Sequence, residues 1–232
     1  MKKLFIAMIT LALVIGISGI AMANGAGAGI AGSPHDFSAE TWNGRLELCR
    51  VCHVPHDHSR ATQRYLNGLL WNHALSTATY TMYNNAWSST IDGAQTSQPV
   101  GVAKLCLGCH DGTVGIDTFD KYPGETVNII DYDPDFKIPG FKDGATNLDL
   151  RGTHPISIVY NSADTGLRDP ATTAMGLSGV INDVLDNGKV QCSTCHDVHD
   201  QESVADTHLL RVGQTVATSG RASGLCLTCH KK

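Results

Sequence analysis

The chain has 232 residues, a length that suits one or two domains. Its 22 Asp and Glu outweigh 17 Lys and Arg, giving a formal charge of −5. That balance argues against a nucleic-acid partner, since phosphate binding calls for a basic surface.

The first stretch reads as an export signal. Met1-Lys2-Lys3 is a basic start, Leu4 to Ile15 is an apolar run, and Ala21-Met22-Ala23 is a small-residue cleavage site, so residues 1–23 are expected to be removed. Thr10, Gly16, Ser18 and Gly19 dilute the run, which argues against a retained membrane anchor and hence against stable membrane insertion. Two lysines in place of twin arginines point to the general secretion route. Losing Lys2 and Lys3 takes the charge from −5 to −7. Residues 24–33 are nearly all Gly and Ala and read as an extended N-terminal arm.

Residues 34–112 follow as a first module. It holds Cys49-Arg-Val-Cys52-His53 and Cys106-Leu-Gly-Cys109-His110, with Leu69-Leu70-Trp71 and the aromatics Tyr80, Tyr83 and Trp87 between them. Residues 113–151 form an acidic, loop-rich connector. Within it Asp131, Asp133 and Asp135 alternate like the start of a calcium loop. Phe136 stands where the turn Gly belongs and Lys142 where the bidentate Glu belongs, so a solvated loop is the better reading. Residues 152–232 form a second module with Cys192-Ser-Thr-Cys195-His196 and Cys226-Leu-Thr-Cys229-His230. A helix is predicted over Gly179 to Asp186, begun by Ser178 and stopped by Asn187-Gly188.

Cys-x-x-Cys-His, present four times, is the attachment signature of c-type haem. Two thiols add across the porphyrin vinyl groups, and the next imidazole reaches the iron. Four-thiolate zinc sites, redox dithiols or a disulfide framework would also use paired cysteines. None of these requires His after every second Cys, and all eight Cys lie in the four motifs. The expected cofactor is therefore four haem c, bound covalently by Cys49, Cys52, Cys106, Cys109, Cys192, Cys195, Cys226 and Cys229. The proximal iron ligands are His53, His110, His196 and His230.

The sixth ligand separates an electron carrier from an enzyme. Met1, Met8 and Met22 leave with the signal, so Met82 and Met175 remain against seven non-motif histidines. Bis-histidine ligation follows, with low potentials because axial Met is absent. The two modules repeat in order: Ser33-Pro-His35 against Thr153-His154-Pro, Cys49 to His56 against Cys192 to His199, Leu69-Leu70 against Leu209-Leu210, Leu105 to His110 against Leu225 to His230. The repeat nominates His35, His56, His154 and His199 as distal ligands. His73 is a fifth candidate without a counterpart, and His58 and His208 read as surface residues. Three residues span at most roughly 10 Å, too little to pass round a porphyrin. His56 and His199 are therefore expected to serve a haem other than the one their neighbours His53 and His196 hold.

Twenty-four Gly and eight Pro break any long periodicity. The predicted fold is that of a multihaem cytochrome c: mostly loops and turns, short α-helices at the motifs, very little β, and haems forming the core. Ser33-Pro-His35-Asp-Phe37, Cys49 to His56, Leu70-Trp-Asn-His73, Leu105 to Gly112, Gly152-Thr-His154-Pro-Ile156, Cys192 to His199 and Leu225 to His230 together resemble the multihaem c-type cytochromes of metal-reducing bacteria. The likeness is to tetrahaem extracellular cytochromes of the OmcE type. It implies a filament subunit that passes electrons outward through the periplasm to the cell surface or beyond. The implied partners are copies of itself, head to tail, other redox proteins and extracellular electron acceptors. It also implies a ligand shared between subunits, for which His35 and His56 lie nearest the arm. A monomeric periplasmic or cell-surface shuttle is the alternative. A reductase fits less well, because no motif replaces His by Lys and no cationic cluster adjoins one.

Overall fold

A computed structural model of the chain describes residues 29–54, 69–119, 148–218 and 220–231. The export signal, His56, His58 and the Asp131 to Asp135 loop lie outside the described residues. Among the described residues regular structure is sparse. Helix α1 spans Ala103–His110, α2 Cys192–Cys195 and α3 Gly224–Cys229. Two 3₁₀ turns span Leu150–Gly152 and Ile181–Val184. Strands β1 (Ile158–Val159) and β2 (Lys189–Val190) pair antiparallel, Ile158 with Val190 and Val159 with Lys189. No helix of the described residues is long and apolar enough to cross a membrane.

The four motifs share one local shape. The His53 N–H donates to Cys49 O at 2.8 Å, that of His196 to Cys192 O at 3.1 Å and that of His230 to Cys226 O at 2.9 Å. Cys106 to His110 lies inside α1. Each motif is thus a single helical turn, the shortest unit that puts two sulfurs and the following imidazole on neighbouring positions.

The duplication extends to the strand that returns over each first motif. Val54 N–H donates to Leu70 O at 2.9 Å, and Asp197 N–H to Leu209 O at 2.8 Å. Asn72 N–H donates to Cys52 O and Arg211 N–H to Cys195 O, both at 2.9 Å. Leu70 and Leu209 adopt the same left-handed backbone, with φ of 53° and 62°. The structural match is therefore Leu70 with Leu209 and Trp71 with Leu210, one residue away from the match of Leu69-Leu70 with Leu209-Leu210. Similar letters misled there, because backbone hydrogen bonds and not side-chain identity fix the register.

The modules interlock. The Ser157 hydroxyl donates to Gln191 Oε1 at 3.0 Å, and Gln191 Nε2 donates to Val100 O at 3.1 Å, all in buried surroundings. Val102 N–H donates to Asp186 Oδ2 at 3.0 Å, past Gly101, whose φ of +57° leaves no room for a Cβ beside that carboxylate. Helix α1 packs against α2 across the same seam.

Two small apolar clusters are present: Tyr80, Met82, Leu107, Leu148 and Leu150, and Phe37, Val51, Ile116 and Phe119. Met175 is fully buried. Trp87 parts from Tyr80 and lies exposed, with the Arg151 guanidinium 4.6 Å from its ring centre.

The helix predicted over Gly179 to Asp186 shrinks to the 3₁₀ turn Ile181–Val184. Gly179 has φ +79°, which breaks helical backbone after Ser178, and the Asp183 carboxylate accepts from Val180 N–H at 2.8 Å. Asn187-Gly188 is not a helix stop. Both residues have positive φ, and they turn the chain between Asp186 and Lys189, which bond to each other in both directions at 3.1 Å.

Candidate functional site

Thiols and imidazoles converge on one cavity of about 380 Å³. Cys49, Cys52, Cys106 and Cys109 line it together with His35, His53, His73, His110, His196 and His199. Phe37, Leu48, Val51, Leu105 and Ile116 supply an apolar wall. All eight cysteines are free thiols. Among the described residues no three His, Cys, Asp or Glu side chains gather as an ion site, which a four-thiolate zinc centre would require.

The imidazoles stand in pairs. His35 faces His110 with ring centres 6.0 Å apart, His53 faces His199 at 6.2 Å, and His154 faces His230 at 6.4 Å. Each pair joins one motif His to one non-motif His. Two nitrogen–metal bonds of about 2 Å, plus about 1.1 Å from each nitrogen to its ring centre, give a separation of about 6 Å across a shared metal. The donor set and its spacing therefore fit bis-histidine haem iron. His35 to His110 and His154 to His230 are the same pair in the two modules. His199 stands opposite the first motif of the other module and not opposite its neighbour His196.

Hydrogen bonds fix the ring tautomers. A backbone carbonyl only accepts, so Nδ1 must carry the proton where it meets one. His53 Nδ1 donates to Leu69 O at 2.7 Å, His196 Nδ1 to His208 O at 2.9 Å, His154 Nδ1 to Pro155 O at 2.9 Å and His73 Nδ1 to Thr118 O at 3.1 Å. In each the lone pair is left on Nε2, the atom a metal would take. Burial, reinforced by His110, His196 and His199, lowers the His35 pKa to about 4. That ring is neutral at pH 7, as a ligand must be.

Burial also keeps the thiols protonated. It raises Cys52 to about 11, Cys109 to about 12 and Cys195 to about 12. The Cys192 thiol hydrogen-bonds the Cys106 sulfur, which lowers Cys106 and raises Cys192. The Cys106 and Cys192 thiols, one from each module, are therefore near enough to interact at the α1–α2 seam.

Other candidates fall elsewhere. Among the described residues no ring stands opposite His196 at the separation of the three pairs. His73 is 3 % exposed and packs between Trp71 and Phe119, with ring centres 5.5 and 6.3 Å away. His35 has a partner ring, His110, within its own chain. His208 is exposed and contributes its carbonyl.

Two residues escaped the sequence reading. Arg211 lies 13 % exposed, donating to Ser193 O, Ser178 Oγ and Glu202 Oε2, with Asp197 3.9 Å away. It is far in sequence from the motif it adjoins, so no local signal marks it. Trp71 lines the cavity and meets the His53 ring edge-on at 6.2 Å. Its Nε1 is fully shielded and has no acceptor among the described residues. A buried N–H left without a partner costs about 1–3 kcal/mol.

No protein-family model matches the chain, and no curated protein matches it.

Proposed function

We propose that the chain is an electron-transfer protein carrying four covalently attached c-type haems, and that it is a subunit of an extracellular filament delivering electrons to external acceptors. The observation that carries the haem reading is the set of three imidazole pairs at 6.0 to 6.4 Å, each built from one Cys-x-x-Cys-His motif and one distant His. Bound haem iron would supply the one-electron ferric–ferrous couple. The chain's own part is to anchor the vinyl edges through eight thiols and to hold the His53, His154 and His196 imidazoles by their Nδ1–H. Exclusion of water from the shared cavity falls to Phe37, Val51 and Ile116. Two imidazoles on one iron leave no seat for a substrate, so the three paired sites are suited to electron passage and not to catalysis.

The filament part rests on the resemblance of the motif-bearing segments. His56, the repeat counterpart of His199, is the ligand proposed for the His196 haem, and supplied by a neighbouring copy it would join two subunits. Such a contact is heterologous and propagates as an open helix unless its rotation closes a ring.

Mass spectrometry of the purified protein, paired with electron paramagnetic resonance, tests the haem reading. Four haems with low-spin ferric signals are expected; three haems, or a dominant high-spin signal, would overturn it. Electron microscopy of the same sample tests the filament. Single particles without polymer at any concentration would leave a tetrahaem shuttle in its place.

A further inference from the structure

Four buried side-chain atoms lack a partner among the described residues, on His35, Trp42, Asn43 and Trp71; of these residues His35 and Trp71 line the thiol-bearing cavity, and Trp71 is the one that is not itself a candidate ligand. It sits on the strand that returns over the first motif, bridged to His53, and its ring forms part of the wall of the thiol-lined cavity. Its indole N–H is shielded from solvent and has no acceptor among the described residues. Indole nitrogen donates and cannot accept, so only an acceptor supplied by whatever fills the cavity satisfies it. The wall is mostly apolar side chains, imidazoles and thiols; its polar exceptions are engaged elsewhere, the Asp197 carboxylate accepting from the His199, Gln201 and Glu202 N–H groups and the Ser193 carbonyl from Arg211. His53 and His196 already spend their Nδ1–H on backbone carbonyls, and neither offers an acceptor once its Nε2 is engaged.

A haem brings the missing group. Its body is flat and apolar and matches the wall, and it carries two carboxylates as propionates. Resting on the four-haem reading, we propose that Trp71 is a haem-anchoring residue, its Nε1–H donating to a propionate carboxylate of a haem seated in this cavity. A charge-assisted bond of this kind favours the ionised propionate and offsets part of its negative charge. The structural equivalent of Trp71 in the second module is Leu210, which has no donor, so the anchor belongs to one module only. One haem of the four is singled out by it.

The test uses the full-length holoprotein with Trp71→Phe and, beside it, Trp71 replaced by benzothienylalanine, which keeps the indole shape and lacks the N–H. Haem content and spin state come first: a parent without four low-spin haems overturns the underlying reading before any variant is compared. With that in hand, the pH dependence of each haem's midpoint potential and the propionate bending bands in resonance Raman are measured. In both variants one haem should show its pH inflection moved to higher pH, a potential below the parent's on the alkaline side, and a shifted propionate band. The other three should not change. Both profiles unchanged would overturn the proposal, with a water as the acceptor. A shift in Trp71→Phe that the isostere does not reproduce would also overturn it, since shape and not the N–H would then be the cause.

Discussion

The turn at Cys49 to His53 with its returning strand, and the turn at Cys192 to His196 with its own, are the same object built twice with different side chains. Their backbone bonds correspond one for one, down to the left-handed leucine in each return. Asn72 and Arg211 even do the same work. Asn72 Nδ2 donates to Arg50 O at 2.6 Å and Arg211 Nε to Ser193 O at 3.0 Å, each tying the return to the residue after the first Cys. What differs is everything that would change the electrostatics of a bound group: a neutral amide against a guanidinium with two carboxylates, an indole against Leu210, a buried His73 against Val212. Backbone repeats fix where ligands stand, while side chains are free to make the two halves unequal.

The strongest way to break the comparison is to withhold the cofactor. The described residues hold two-residue strands, short helices and two small clusters, and on the four-haem proposal the macrocycles supply the rest of the core. Expressed without haem attachment, both halves should lose cooperative unfolding and near-ultraviolet dichroism together; a sharp thermal transition would contradict this.

Next in size is the exchange of ligands between modules. His199→Ala should turn the haem ligated by His53 high-spin and leave the haem attached at Cys192 and Cys195 as it was. Paramagnetic NMR with assigned haem methyls distinguishes the two, and a change confined to the His196 haem would refute the crossed arrangement.

The seam itself is tested by Gly101→Ala. A left-handed φ disfavours Ala, and its Cβ collides with the Asp186 carboxylate that accepts from Val102. A loss of about 2–3 kcal/mol is expected in denaturant titration, with both modules unfolding in one transition.

Asn72→Ala and Arg211→Ala sharpen the likeness. The first removes one neutral hydrogen bond to Arg50 O, about 1 kcal/mol. The second also strips charged partners from Asp197 and Glu202, and about 2 kcal/mol is expected. Equal losses would mean that the guanidinium adds nothing beyond the shared tie.

Smallest is Arg151→Ala. Arg151 holds the half-buried Asp149 carboxyl down to about 2 through two side-chain hydrogen bonds and its own backbone N–H. In the variant the Asp149 pKa should rise toward the ordinary carboxylate value by NMR titration, with global stability unaltered because the pair is solvent-screened.

What the sequence made legible was local. Five consecutive residues suffice to define a Cys-x-x-Cys-His turn, so the four motif turns could be placed without any tertiary knowledge. The imidazole opposite each one could not, because His35 and His110 are 75 positions apart and meet through packing alone. Strands β1 and β2 are too short to show an alternating pattern. Ser178 and Asn187-Gly188 carry helix punctuation, yet Gly179 at positive φ overrides it. The indole of Trp71 was visible as a letter beside His73, but an unsatisfied donor is a property of surroundings and not of composition.

The closeness of the Cys106 and Cys192 sulfurs has a consequence for timing. On the proposed reading both become thioethers once haem is attached, inert toward each other. Before that they are neighbouring thiols, and in the oxidising compartment that the proposed export would reach, such a pair closes readily into a disulfide. A chain that compacts early would lock one sulfur from each of two motifs and leave both unable to take up a vinyl group. On the proposed reading cofactor loading must therefore outrun collapse along this chain, and the order of the two events decides between a haem-loaded protein and a cross-linked one.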